Sequence, residues 1–305
     1  MTEVGGRVLL QRLPTAKTID RKYGAERQPA PSQDVRHTRR HVRDVRGTLA
    51  GCQGCRLTKW CDIRHKTQGA ASSMVTLTDV SKIYIKGSNR ICGLDHVSLD
   101  IRAGSFCAFV GPSGCGKSTL LNVIAGLDVP TSGVIHLNGQ STAGYGSDEW
   151  TRVRRELIGV VFQAFHLISG LTVEENVAFP LLLKGDEGRR VRERVAEVLG
   201  LVRMTQRATH RPSELSGGEQ QRVAVARAIV HEPKILLADE PTGNLDSQHG
   251  ADIIDLLRTL VNEFHHTVLL VTHSAAAAEA ADYVWAMKDG RLTTRTMQRS
   301  AAQGV

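Results

Sequence analysis

The sequence predicts an α/β layered fold built on a mainly parallel sheet, with a small antiparallel β-subdomain before it and a helical subdomain inserted into it. Three observations carry this. Residues 105–110 (SFCAFV), 235–238 (ILLA) and 268–271 (VLLV) are short, almost continuously apolar runs separated by helical patterns, as expected of parallel strands covered on both faces. Residues 75–80 (VTLTDV) and 96–101 (HVSLDI) instead alternate apolar and polar side chains, as half-buried strands do. Between these groups, Val191, Val195, Val198 and Leu199 recur at the spacing of one helix face, with Gly200 expected to stop that helix. The helical insertion is placed at about residues 170–228, and no internal repeat is found.

The chain has 305 residues, 41% of them apolar, ordinary for a protein that buries a core. No apolar run reaches the roughly 18–20 residues that cross a bilayer; the nearest, 267–287, is broken by His273, Glu279 and Asp282. The N-terminus lacks the apolar stretch of a secretory signal. The expectation is a cytoplasmic chain, with any membrane role exercised through a partner. The net charge of +8 is unevenly placed. Residues 1–73 carry 15 basic and 6 acidic side chains, a net of +9; of the 39 basic and 31 acidic in total, 24 and 25 remain for residues 74–305, a net of −1. The positive charge therefore belongs to a tail and is no sign of a nucleic-acid-binding body.

Residues 1–73 are Arg-rich and lack a sustained apolar period, a composition that cannot easily bury a core. They read either as a basic, disordered N-terminal extension or as a segment outside the natural protein, which would then start at Met74. Cys52, Cys55, Cys61 and His65 are metal-ligand types, but their spacing fits no standard site. The six cysteines are too unevenly spaced for a disulfide scaffold, so reduced thiols are expected.

Gly111-Pro112-Ser113-Gly114-Cys115-Gly116-Lys117-Ser118-Thr119 fits G-x-x-x-x-G-K-[ST] and lies between a buried strand and a helical pattern over 119–125. Glycines let backbone N–H groups turn inward around phosphate oxygens, and the helix start adds its positive end. Lys117 is placed to reach the β- and γ-phosphates, and Ser118 to ligate Mg²⁺. This loop alone says only nucleoside triphosphate. Cys115 within it is either oxidisable, through neighbouring N–H dipoles, or simply a tolerated small residue.

The run 234–239 ends in Asp239, followed by Glu240. If its strand lies next to the strand of the loop, Asp239 reaches Mg²⁺ through water, and Glu240 polarises the water that attacks the γ-phosphate. His273 stands just past the apolar run 268–272, where an imidazole can donate to the γ-phosphate; a lone histidine is more often structural, and both readings stay open. Leu215-Ser216-Gly217-Gly218-Glu219-Gln220-Gln221-Arg222 opens a helix expected over 220–229. A serine N-cap with two glycines is a second anion-binding helix start. The simplest use for it is a two-fold dimer in which Ser216 and Gly218 cap the γ-phosphate held by the partner's Lys117.

Through these motifs, residues 74–297 resemble the ATP-binding cassette (ABC) family: the phosphate loop, Leu215-Ser216-Gly217-Gly218, Asp239-Glu240-Pro241-Thr242, Asn244-Leu245-Asp246 and Val271-Thr272-His273 occur in family order. The resemblance implies a P-loop NTPase (ABC ATPase) core that binds and hydrolyses ATP with Mg²⁺, works as a homodimer, and powers an integral membrane permease on the inner face of the cell membrane. It implies that Gln163 senses Mg²⁺ and the attacking water and relays to the partner. It further implies that Tyr84 stacks on adenine and that Asp246 couples the two sites across the dimer. Gly126-Leu127-Asp128, Leu171-Thr172-Val173-Glu174-Glu175-Asn176-Val177 and Pro241-Thr242-Gly243-Asn244-Leu245-Asp246-Ser247 look like the branch serving lipoprotein-release, macrolide-export and cell-division permeases, as does Glu219 where many cassettes have Gln. Two departures stand out: Ser274 where an acidic residue is frequent, and His166-Leu167-Ile168-Ser169-Gly170 where the branch usually carries Asn and Pro. The surface around 163–175 is expected to engage the permease. A switch acting through a transmembrane partner on cell-wall or division machinery is the alternative. No specific nucleic-acid partner is expected, because there is a single cassette and no long coiled coil between phosphate loop and signature.

Overall fold

The computed structural model describes residues 72–297. The expectations for the basic tail and for Cys52, Cys55, Cys61 and His65 fall before that range and lie outside the described residues.

Two long strands, β1 (Ser73–Lys86) and β2 (Asn89–Arg102), form an antiparallel hairpin. Next come β3 (Phe106–Val110), α1 (Lys117–Ile124), β4 (Ser132–Leu137), β5 (Gln140–Ser141), α2 (Ser147–Glu156) and β6 (Ile158–Val161). Three helices succeed these: α3 (Val173–Lys184), α4 (Arg189–Leu201) and α5 (Gly217–Ile229), with 3₁₀ turns at Thr205–Arg207 and Pro212–Glu214 before α5. The chain continues through β7 (Ile235–Asp239), α6 (Ser247–Phe264), β8 (Thr267–Thr272), α7 (Ala275–Glu279), β9 (Tyr283–Lys288) and β10 (Arg291–Met297). A four-stranded antiparallel sheet runs β2-β1-β4-β5, and a six-stranded sheet runs β10-β9-β3-β8-β7-β6. In the larger sheet every neighbouring pair is parallel except β9–β10.

The apolar runs are continuous because each strand feeds two cores. Phe106, Ala108, Leu236, Ala238, Val268 and Leu270 point into one, packed by residues of α3 to α7. Cys107, Phe109, Ile235, Leu237, Leu269 and Val271 point into the other, closed by α1 and the antiparallel sheet. With a side-chain period of two, a strand covered on both sides has no polar face to show.

Two expectations are corrected. The strand beside the loop-bearing β3 is β8, not β7; Asp239 is one strand further away, paired at Val271. Gly200 does not end its helix: α4 runs on to Leu201, and the turn back is made by Met204 N–H to Leu199 O, 2.8 Å. Buried Val202 and Met204 carry the apolar face past the glycine, so packing outweighs the roughly 1 kcal/mol cost of a helical glycine. Strands β6, β9 and β10 are elements that the sequence patterns do not single out. Residues 283–288 (YVWAMK) mix aromatic and polar character, because β9 shares one flank with the largely exposed edge strand β10.

Asp282 ties the sheet to the helices. Its Oδ2 accepts from Phe106 N–H at 2.8 Å, and its Oδ1 accepts from Arg258 Nη2 at 2.7 Å. Both side chains are about one-fifth exposed. Asp282→Ala orphans an amide and a guanidinium, and is expected to cost about 2–3 kcal/mol. In urea denaturation its midpoint should fall well below that of Asp252→Ala, which breaks a pair with Arg222 in which the carboxylate itself is half exposed.

Candidate functional site

The phosphate-loop segment leaves the C-terminal end of β3 and enters α1 at Gly116. Gly116 has φ +105°, and a Cβ there would lie 2.2 Å from Gly93 O of β2, so only glycine fits. No side chain caps α1, which leaves its first N–H groups to an anion. Lys117 is buried, and its Nζ donates to Gly111 O and Pro112 O, each at 2.9 Å. The ammonium is thus curled along the loop that it would serve. Cys115 is a buried free thiol with its Sγ 3.9 Å from Lys117 Nζ. Ser113 and Gly114 are exposed in the loop, and Thr119 is partly buried in α1.

Three strand ends converge beside this loop. Ser118 Oγ donates to Asp239 Oδ1 at 3.1 Å. Burial pushes the Asp239 carboxyl above its ordinary range; the Ser118 bond opposes this, neighbouring Glu240 adds to it, and Lys117 opposes it. An aspartate whose folded pKa is raised stabilises the fold only below its unfolded pKa, about 3.9, and loses that contribution as pH rises through the folded value. Asp239→Asn is therefore expected to raise the melting temperature at pH 7 in a chelating buffer, with the gain closing as pH falls below about 4; a lower melting temperature at pH 7 would contradict this.

Glu240 follows with φ +46°, left-handed backbone that a non-glycine residue occupies at a cost and that clusters at working sites. Its amide bonds Val271 O at 2.9 Å, and its Oε2 lies 2.8 Å from His273 Nδ1. Glu240 and His273 therefore meet side chain to side chain, although they follow different strands in the chain. The non-acidic Ser274 caps α7 by accepting from Ala277 N–H at 3.3 Å, a task that serine performs as well as aspartate.

Gln163 is exposed just after β6. Its Nε2 donates to Asn244 Oδ1 at 3.3 Å, and Asn244 Nδ2 donates back to Gln163 O at 3.0 Å. The following residues, Phe165 and His166, both have positive φ, +54° and +50°. Arg227 of α5 holds this turn by donating to both carbonyls, at 2.8 and 2.5 Å. Asn176, fully buried, donates to Ile168 O, Leu171 O and Thr172 O and accepts from Ile168 N–H. One asparagine from the 171–177 motif thus shapes the segment expected to face a partner.

Ser216 caps α5 by accepting from Glu219 N–H at 3.3 Å, while Glu219 Oε2 accepts from Ser216 N–H at 2.8 Å, a reciprocal capping box. The helix starts at Gly217 rather than at the expected 220. Ser216 is exposed and Gly218 buried. A Cβ on Gly218 would stand 2.7 Å from the His249 ring. Asp246 Oδ1 caps α6 through Gln248 and His249 N–H, and its Oδ2 lies 2.6 Å from His249 Nδ1. His249 therefore joins Asp246 to the signature turn. Tyr84 lies on β1 under Lys82 Nζ, 5.0 Å from the ring centroid, and burial foremost, with the Asp128 carboxylate adding to it, pushes its phenol above the ordinary range. Sequence reasoning missed Asn244 as the Gln163 partner, and missed Arg207, Arg227 and His249 altogether; these are tertiary contacts, and no local period marks them.

The family described as ABC transporter matches residues 94–243. Two proteins of Methanocaldococcus jannaschii carrying the name uncharacterized ABC transporter ATP-binding protein, MJ1508 and MJ0796, are 42% and 44% identical, over 72% of this chain and 97% and 95% of theirs. A macrolide export ATP-binding/permease protein, MacB, of Brucella melitensis is 42% identical over 75% of this chain. The chain spans about a third (35%) of the length of that relative. The dimeric structure of MJ0796 in a post-hydrolysis state bound to ADP and Pi covers 74% of this chain and all of its own, with a TM-score of 0.70 at 42% identity. With such identity across nearly the whole of MJ1508 and MJ0796, the chain belongs to the ABC transporter family as an ATP-binding cassette.

Proposed function

We propose that this cassette binds ATP with Mg²⁺, hydrolyses it as a homodimer, and so drives a separate membrane permease. The observation that carries this reading is the convergence of Ser118–Asp239 and Glu240–His273 beside the Lys117 loop, at the C-terminal ends of parallel strands, where α/β sheets take their ligands. The donor set suits Mg²⁺: one hydroxyl and one carboxylate, with Gln163 just past the end of β6. Among the described residues no cluster of three or more His, Cys, Asp or Glu could hold a metal alone. A hard cation that keeps waters and takes phosphate oxygens needs no more from the protein. When bound, the ion supplies charge neutralisation on the transferring phosphoryl group.

The protein's own groups divide the remaining work. Lys117 leaves the Gly111 and Pro112 carbonyls for the β- and γ-phosphates, and the N–H groups of 113–119 surround them. Tyr84 offers its ring to adenine. Glu240, held by His273, accepts a proton from the attacking water, and His273 donates towards the γ-phosphate. Gln163, braced by Asn244, orients that water. Ser216 Oγ uses a lone pair for the Glu219 amide and keeps its hydrogen for the γ-phosphate bound to the partner, with the Gly217 and Gly218 amides beside it. Asp246 sits at the same seam.

Dimeric MJ0796 and the permease-bearing name of MacB support the assembly. No helix among the described residues is long and apolar enough to cross a membrane, in keeping with attachment at the inner face of the membrane through the permease. A groove of about 420 Å³, lined among others by Arg154, Arg155, Val160, Pro180 and Leu183, runs along β6 and α3, and shares Arg227 with the Phe165–His166 turn. Its apolar floor and basic rim suit an amphipathic cytosolic helix of the permease that carries carboxylates. The test is to purify the full chain with the membrane protein it retains and to measure Mg²⁺-dependent ATP hydrolysis. A chain that binds no ATP, or hydrolyses it equally well after Lys117→Ala, overturns the reading.

A further inference from the structure

The signature turn contains a charge that its proposed task does not want. Glu219 stands in the first turn of α5, three residues from Ser216, and its carboxylate is folded back onto the Ser216 amide at 2.8 Å. Its other oxygen, Oε1, accepts from Arg207 Nε at 3.1 Å. The Ser216 amide foremost holds the Glu219 carboxyl below the ordinary range; burial opposes it, and the Ser216 hydroxyl and Arg207 add to the lowering. The carboxylate is thus firmly ionised. A carboxylate near a helix N-terminus favours the isolated helix, but it repels a polyphosphate brought to the same helix end.

Arg207 is not a loose surface partner. It ends the 3₁₀ turn Thr205–Arg207, and its amide bonds Met204 O at 2.9 Å. The residues directly after that turn are fastened to the start of α3, through Val173 N–H to His210 O at 2.8 Å and Glu174 N–H to Ala208 O at 2.9 Å. Arg207 Nη1 also lies 3.1 Å from His210 Nε2. The guanidinium is therefore held over Glu219 from a separate segment of the helical region, with its side chain about half exposed, 46%. Half exposed, it adds little to fold stability, whereas its charge acts where an anion is to approach.

We infer that Arg207 is a positioning residue for the signature turn: it neutralises and orients Glu219, so that the Ser216–Gly218 end of α5 accepts the γ-phosphate of the nucleotide bound by a second copy of this chain. The inference rests on the reading that this turn takes the partner's nucleotide. Charge compensation makes a demand that simple packing does not: once Glu219 is neutral, Arg207 is dispensable.

The experiment is a double-mutant cycle in full-length protein carrying Glu240→Gln to block turnover, with ATP-driven dimerisation measured by sedimentation in MgATP. Arg207→Ala is expected to weaken dimerisation about tenfold. Glu219→Gln alone should leave it equal or tighter, and Arg207→Ala added to Glu219→Gln should restore it to within about threefold of the starting protein. Melting temperatures of the nucleotide-free variants identify any misfolding, and the Glu219→Gln arm is read even if Arg207→Ala alone is damaged. Equal weakening by Arg207→Ala with and without Glu219→Gln, or no weakening in either, overturns the inference. If the Glu240→Gln parent itself never pairs in ATP, the dimer reading has failed instead.

Discussion

Glu240→Gln is expected to keep ATP affinity while slowing hydrolysis about 10²–10⁴-fold, some 3–5 kcal/mol of barrier. The amide keeps the size and the polar oxygen that faces His273 Nδ1 in the parent, 2.8 Å away, so the left-handed backbone at this position and the bond from its amide to Val271 O have no reason to change. What is lost is the capacity to take a proton from water. With turnover blocked, the closed pair of subunits should persist, and MgATP should shift the protein to a dimer in size exclusion while ADP does not. Hydrolysis at the parent rate by the Glu240→Gln protein removes Glu240 from the role of base. His273→Ala should behave differently: Glu240 loses its tether and the γ-phosphate one donor, but the base itself remains, so hydrolysis is lowered less; a loss equal to that of Glu240→Gln would make the two residues a single acid–base unit.

The second large effect is expected from Ser216→Arg. Ser216 is exposed, so a long side chain meets no wall inside its own subunit. The intramolecular loss is one helix cap, the 3.3 Å bond to the Glu219 amide, about 1 kcal/mol. Across a two-fold seam the same side chain occupies the space of the partner's γ-phosphate. Nucleotide binding by the monomer should be retained, because the Lys117 loop is built by β3 and α1 and not by α5. ATP-driven dimerisation should disappear, and hydrolysis should drop to a few per cent or less. Equilibrium binding of a fluorescent ATP analogue alongside sedimentation separates these effects. Dimers of normal affinity in the Ser216→Arg protein would mean that the signature turn faces something other than a second nucleotide.

Much of this site is legible in the chain because its parts are local. The phosphate loop needs glycine at Gly116, where β2 passes within 2.2 Å of a would-be Cβ. The signature needs a capping serine with Glu219 three residues later. Asp239 is the last residue of a strand whose two faces are both buried. Such requirements are met within a few consecutive residues, so they leave a motif. The helix start at Gly217 rather than 220 shows the limit of the same logic: helix propensity disfavours two glycines, but the Ser216–Glu219 capping box offsets that within the first turn.

Sequence by itself determined the two buried-strand classes, the phosphate loop, the acidic strand end and the capped signature, since each follows from periodicity, backbone freedom or capping chemistry over short spans. Tertiary structure alone decided that β8 lies between β3 and β7, that His273 grips Glu240, and that Arg207, Arg227 and His249 reach Glu219, the Phe165–His166 carbonyls and Asp246. The physical reason is that strand order and long-range charge pairing depend on where helices cross over a sheet, and no residue's neighbours along the chain encode which distant guanidinium or imidazole will meet it.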